Sequence, residues 1–243
     1  LVLAVITSLI ATATGQAAFD RAIAEGVDAE LLNTHADNAN LIPWLLLLVN
    51  VLVSGYALYF DPSLIDRLSF KPRRILEHGE YQRMITGGFV HVGLWHLAFN
   101  MITLYFFGPW LEVLLGPGKF LLLYFGAELA AHGLTLVLHR NNPQYAAVGA
   151  SGAVSGVLFA FCLFRPFDSI CLFFALCMPA ILFAVLYVAF SIYAMKQGER
   201  EGGMTGGIAH EAHLGGALGG LVLTILLEPG SLDIFLGAMR RAF

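Results

Sequence analysis

Between Leu41 and Leu227 the chain is a succession of six apolar runs divided by short polar or glycine-proline breaks, a pattern that fits a bundle of membrane helices and little else. The runs extend from about Leu41 to Phe60, Leu94 to Leu115, Phe120 to Leu138, Gly149 to Phe164, Ile170 to Met195 and Gly207 to Leu227. Gly116-Pro117-Gly118, Arg140-Asn141-Asn142-Pro143, Arg165-Pro166-Phe167-Asp168 and Glu228-Pro229-Gly230 punctuate them. A helix needs about 20 residues to cross a hydrocarbon core of roughly 30 Å. The expected fold is therefore an all-α membrane protein, a six-transmembrane-helix bundle with both termini on one side. Composition agrees, with 58% hydrophobic and 12% charged residues and a mean hydropathy of +0.76, and no length remains for a separate soluble domain.

Three regions follow. Residues 1–40 are expected to be a peripheral, amphipathic lead-in: Leu1 to Thr12 is apolar but too short to span, and lacks the basic flank of a secretory signal, a cleaved signal or an extra span being the alternatives. Residues 41–227 hold the bundle, and 228–243 an amphipathic tail. Residues 61–90 mix Leu64, Leu68, Ile75, Leu76, Met84 and Ile85 with charges, as an interfacial first loop would. The net charge of -4 and dispersed basic residues make nucleic acid an unlikely partner. Cys162, Cys171 and Cys177 lie in or beside apolar runs and read as packed small hydrophobes rather than a disulfide framework. Lysines and arginines are not cleanly biased between alternate loops, and a bare count would put both termini outside.

Polar side chains inside spans are costly, so each asks for an explanation. His96 and Asn100 stand four apart on the second run and share a helical face, where interhelical hydrogen bonding is the plain explanation. Ser151 opens the fourth run in Gly149-Ala150-Ser151-Gly152, and His213 lies early in the sixth. A six-span arrangement puts all four side chains at the same end of the bundle. Gly152 and Gly156, Gly215 and Gly219, and Gly216 and Gly220 carry the small-xxx-small spacing that lets helix backbones nearly touch. Close packing of the fourth and sixth helices could bring the Ser151 hydroxyl within reach of the His213 ring. That is the geometry of base-assisted nucleophilic attack on a carbonyl. Backbone N–H groups at the helix start by Ser151, with His96 and Asn100, could then stabilise an oxyanion. Glu211 lies two residues from His213, on nearly the opposite side of the helix, and is poorly placed to orient its ring.

These residues carry a resemblance. His96-Leu97-Ala98-Phe99-Asn100, Gly108-x-x-x-Glu112, Gly149-Ala150-Ser151-Gly152 and Ala212-His213-Leu214-Gly215-Gly216, in that order on successive spans, are similar to the motifs of rhomboid intramembrane serine proteases. The resemblance implies a water-filled cavity below the membrane surface, a Ser151–His213 dyad, and an oxyanion site of Ser151 N–H, His96 and Asn100, with Gly149 and Ala150 at the turn. It implies transmembrane-helix protein substrates within the lipid bilayer and no metal or cofactor. It also implies cytoplasmic termini in a multi-pass protein of the cell membrane, the inner membrane of a bacterium. Catalytically dead relatives lack the nucleophile or the base, and both are present here. In several members an aromatic residue four positions after the nucleophile stacks on the catalytic imidazole; this chain has Ser155 there, so the ring must be held by glycine packing or another aromatic.

Two other readings compete. His210-Glu211-Ala212-His213 approaches a zinc-protease motif, but its histidines are three apart rather than four and no further ligand set accompanies them. A small transporter would line a path with paired ionisable residues, of which Glu112 and Glu128 are the only acids plainly within or near span ends; Glu128 stands four residues before His132, a possible partner.

Overall fold

A computed structural model of the protein describes residues 41–172, 175–200 and 209–242. It is mostly helical. The elements are α1 (Leu41–Tyr59), α2 (Ser63–Leu68), α3 (Pro72–His78), α4 (Arg83–Thr86) with a 3₁₀ turn at Gly87–Phe89, α5 (Leu94–His139), α6 (Ser151–Phe164), β1 (Ser169–Leu172), β2 (Leu176–Pro179), α7 (Ala180–Arg200), α8 (His210–Leu227) and α9 (Gly230–Ala242). Among them α1, α5, α7 and α8 are long and apolar enough to cross a membrane.

The 46 residues of α5 do not form one straight rod. Gly116 leaves the helical region at φ 76°, ψ 160°, a conformation open to glycine, and Pro117 has no N–H to continue the ladder. Two arms result, 94–115 and 117–139. Contacts give their directions. His96 meets Gly149, and Phe107 and Trp110 meet Phe161 and Phe164, so the first arm runs parallel to α6. Ala131 meets Gly152 and Ala127 meets Gly156, so the second arm runs antiparallel to it.

The core of this arrangement is glycine. A methyl on Gly216 would stand 2.1 Å from the Gly152 carbonyl oxygen, and one on Gly220 would stand 2.3 Å from the Gly156 Cα. Ascending pairs of this kind mean that α6 and α8 run parallel, backbone on backbone. Two buried glutamates complete the frame by satisfying helix N-termini whose N–H groups have no partner within their own helix. Glu112 Oε1 accepts from Ile42 N at 3.3 Å at the start of α1. Glu128 Oε2 accepts from Ala153 N at 2.9 Å at the start of α6, while its other oxygen lies 3.5 Å from His132 Nδ1. His132 thus stands beside Glu128, but its Nδ1 is 2.7 Å from Met84 O and Glu128 Oε1 makes no hydrogen bond among the described residues, so the Ala153 N–H is the contact that accounts for the carboxyl.

Two expectations need correction. The fifth run does not begin as helix at Ile170: Ser169–Leu172 and Leu176–Pro179 pair as an antiparallel hairpin, and α7 starts at Ala180. Apolar and sulfur-bearing residues suit a strand as well as a span, and a short apolar run alone does not separate them. Cys171 and Cys177 face each other across that hairpin and form a disulfide, leaving Cys162 as the buried free thiol. Residues 61–90 fold into α2, α3, α4 and the 3₁₀ turn, tied by ion pairs of Arg67 with Asp61, Lys71 with Asp66, and Arg74 and Arg83 with Glu80. The lead-in of residues 1–40 and the start of the sixth run at Gly207 lie outside the described residues.

Candidate active site

Ser151 is the first residue of α6, and the turn before it is held from three directions. Phe70 and Ala147 exchange backbone hydrogen bonds of 2.9 and 3.0 Å, which pins the approach to the turn against the loop of residues 61–90. Gly149 N donates to Gly87 O at 2.9 Å. Gly149 itself adopts φ +111°, where a side chain is strained, and a Cβ there would lie 2.4 Å from His96 Cε1 and 2.6 Å from its Nε2. The His96 imidazole is therefore seated on the Gly149 peptide, and only glycine permits it.

Ala150 is held by a residue the sequence analysis did not single out. Its N–H donates to His91 Nε2 at 3.3 Å, and Ser54 Oγ of α1 lies 2.8 Å from His91 Nδ1. An accepting Nε2 puts the ring proton on Nδ1, which donates to Ser54 Oγ; the Ser54 hydroxyl in turn donates to Phe89 O at 3.0 Å. Every donor in this relay has an acceptor while His91 is neutral. Burial, with the nearby His96 ring adding to it, pushes the His91 pKa down to about 3. The signal in the sequence was a lone histidine between Val90 and Val92, just ahead of the second run.

With Gly149 and Ala150 N–H committed, and Ala153 N–H given to Glu128, the Ser151 N–H has no acceptor among the described residues. Asn100, one turn along the arm from His96, is buried with its side-chain Nδ2 equally without a partner among the described residues. Buried donors seldom stay unused without a reason.

His213 lies on the first turn of α8, three residues before Gly216, and Ser151 directly precedes Gly152. The Gly152–Gly216 contact thus apposes the two turns that carry them. Among the described residues no hydrogen bond joins Ser151 Oγ to the His213 ring; nucleophile–base bonds are often long in unliganded sites. The imidazole is flanked by the Tyr187 ring of α7, 6.1 Å away and inclined by 21°, and by His210 at 6.0 Å and 77°. Glu211 turns elsewhere: it accepts from Tyr145 Oη and lies 3.0 Å from His139 Nε2. Ser155, one turn after Ser151, donates to Ser151 O at 2.6 Å and lies 2.6 Å from Tyr187 Oη. The structure thus gathers His96, Gly149, Ala150, Ser151, Gly152 and His213 at one end of the bundle, with Gly156 and Gly220 as the next contact along.

Comparison with known proteins bears on this end of the molecule. Residues 78–229 match the family model of the Rhomboid domain. The chain is similar to RHOMBOID-like protein 12, mitochondrial, of Arabidopsis thaliana, with 29% identity over 57% of this chain and 44% of that protein. Putative rhomboid protease YdcA of Bacillus subtilis is 40% identical over 33% of this chain and 39% of its own length. Rhomboid protease GluP of the same organism is 35% identical over 36% of this chain and 17% of its own length. In each case less than half of the relative is covered. The matched segment holds both arms of α5, the Ser151 turn and the His213 turn within one domain, and the chain belongs to the rhomboid family.

Proposed function

We propose that this chain is an intramembrane serine endopeptidase that cuts transmembrane helices of other membrane proteins. Ser151 Oγ attacks the scissile carbonyl carbon while His213 takes its proton, and His213 returns that proton to the leaving amine as the C–N bond breaks. Water then attacks the acyl-Ser151 ester by the same route in reverse. The oxyanion of each tetrahedral intermediate is received by Ser151 N–H, the Asn100 amide and His96, with Gly149 and Ala150 shaping the turn. The observation that carries the reading is the apposition of Gly152 and Gly216, which brings the serine and histidine turns of two parallel helices together, with the unpartnered, buried Asn100 amide at the same end.

The depth of the site follows from the length of α6. Its 14 residues span about 21 Å at 1.5 Å per residue, short of a hydrocarbon core of about 30 Å. Twelve of them are buried within the bundle. A helix that short, enclosed by longer neighbours, starts below the membrane surface, where a substrate helix can reach it and water can enter from the near end. We take the two arms of α5, α6 and the remaining long helices as six spans. A bacterial inner membrane is the proposed setting and a mitochondrial one its competitor, since relatives of both kinds are found.

The test is cleavage of a single-pass helical substrate by purified protein. Ser151→Ala abolishes cleavage with the fold intact, and Asn100→Ala lowers kcat by on the order of 10²- to 10³-fold, the usual loss for one oxyanion donor. A fluorophosphonate labels Ser151 in the wild type and not in His213→Ala. Undiminished cleavage by Ser151→Ala overturns the reading.

A further inference from the structure

Among the described residues the proposed base has no carboxylate to orient it, since Glu211 is engaged by Tyr145 and His139. What His213 has instead is the near-parallel ring of Tyr187, delivered from α7. Resting on the dyad reading above, we infer that Tyr187 is the positioning residue of the base, and that Ser155 fixes the height of its ring against the nucleophile's own helical turn.

The hydrogen-bond directions are determined. The Ser151 carbonyl can only accept, so the Ser155 hydroxyl proton is spent on it. The Tyr187 hydroxyl must then be the donor to Ser155 Oγ at 2.6 Å. Its proton is not available to the imidazole, and Tyr187 acts on His213 through its ring face alone. That ring is itself wedged, with Phe159 edge-on at 5.5 Å and Phe183 at 5.6 Å. The sequence of contacts runs from Ser151 O to Ser155, to Tyr187, to His213. The plane of the base is thereby referenced to the residue it must deprotonate, through a side chain of a third helix. Ser155 is small enough to leave room for that side chain, and its hydroxyl gives the tyrosine a fixed stop. A misplacement of about 1 Å in such a pair can cost on the order of 10²-fold in rate.

The experiment measures the rate of fluorophosphonate labelling of Ser151, and kcat and KM on a helical substrate, for purified full-chain wild type, Y187L, Y187F, S155A and Y187F/S155A. Y187L lowers kcat and the labelling rate together by about 10- to 100-fold and leaves KM unchanged, because only the base is displaced. Y187F keeps the ring and loses its stop; it recovers most of that activity, remaining about 2- to 10-fold below wild type. S155A matches Y187F, and the double variant falls no further, as for two partners of one interaction. Additive losses in the double variant, a rise in KM with unchanged kcat, or a wild-type rate in Y187L each overturn the inference. Should Y187L not fold, the coincidence of Y187F with S155A decides alone. A wild type that is not labelled at Ser151 removes the dyad itself, whereas a labelled, active wild type with an unaffected Y187L removes only the role of Tyr187.

Discussion

Helices α6 and α8 meet backbone to backbone, whereas the contacts described between α7 and these two helices are made by side chains. At the first join glycines stand against a carbonyl or a Cα: Gly216 on Gly152, Gly220 on Gly156. At the second, Phe183 and Tyr187 point inward while Leu182, Val185, Leu186 and Tyr193 of the same helix are exposed. A backbone contact cannot adjust by rotamer, so the first join defines where Ser151 and His213 stand. A side-chain contact can, so the second tunes orientation without setting position. The relation of nucleophile to base is thus built from the least adaptable contact in the molecule, and the refinement of the base's plane from a more adaptable one.

Breaking the rigid join should produce the largest effect on stability. Gly216→Ala puts a methyl on the Gly152 carbonyl oxygen, and Gly220→Val puts a branched side chain on the Gly156 Cα; neither obstacle can move aside. Each is expected to destabilise the bundle by about 3 kcal/mol, at the upper end of overpacking costs, and to abolish labelling of Ser151. Gly126→Ala sharpens the contrast. The nearest atoms to its methyl would all belong to the flexible Leu223 side chain, Cδ1 first. The rotamer shift there is offset by the helix-propensity gain of about 0.8 to 1 kcal/mol for Gly→Ala, so stability should be nearly unchanged. Reversible unfolding in detergent measures all three, and equal losses for Gly126→Ala and Gly216→Ala would erase the distinction between the two kinds of contact.

The parts of this arrangement legible in the sequence were those that depend on local spacing. Glycines four apart, and a serine and a histidine at the heads of their runs, are visible without knowing which helix faces which. Tyr187 was not legible, because an aromatic residue within an apolar run has the same local signature whether it faces lipid or a catalytic ring. His91 was missed because it lies in the short connection ahead of the second run, where a polar residue needs no explanation. Its importance comes only from the return of Ala150 to that place some sixty residues later. The hairpin at Ser169–Pro179 was absorbed into a span because its residues are as apolar as the helix that follows. Glu128 was noticed as an oddity, but its role at the start of α6 required knowing that the second arm and α6 are antiparallel.

His91 represents a third kind of join, polar and buried, between the first helix and the Ser151 turn. His91→Ala leaves Ala150 N–H and Ser54 without their partner and should cost about 1 to 3 kcal/mol. The pH dependence is more specific. The folded-state pKa is depressed to about 3 from an ordinary 6.5. Between those values the unfolded chain holds a proton at this position that the folded protein refuses. Stability from this group is therefore intact above pH 6.5 and falls as pH drops below it, with a slope of up to about 1.4 kcal/mol per unit. Unfolding titrations of wild type and His91→Gln between pH 7 and 4 isolate it: the variant should lose stability less steeply, and parallel curves would remove His91 from the relay.

The smallest effect is expected where the join is charged and faces water, in the loop of residues 61–90. Arg83 is buried there and donates to Ser69 O at 2.7 Å and Asp66 O at 3.1 Å, so it serves the loop's interior. Glu80 is the outer partner. Hydrogen bonds from Arg74 and then Arg83 lower its carboxyl pKa to about 2. A depressed carboxylate contributes above its ordinary range, and the contribution disappears as pH falls through the folded value. Glu80→Gln should therefore lower the thermal midpoint slightly at pH 7, and the difference from wild type should close as pH falls towards 2. Added salt should close it as well, since at about 1 M the screening length is only about 3 Å. A difference that persists in high salt would mean that the pair acts as a buried contact, and that the loop is held to the bundle as firmly as the Ser151 turn it supports.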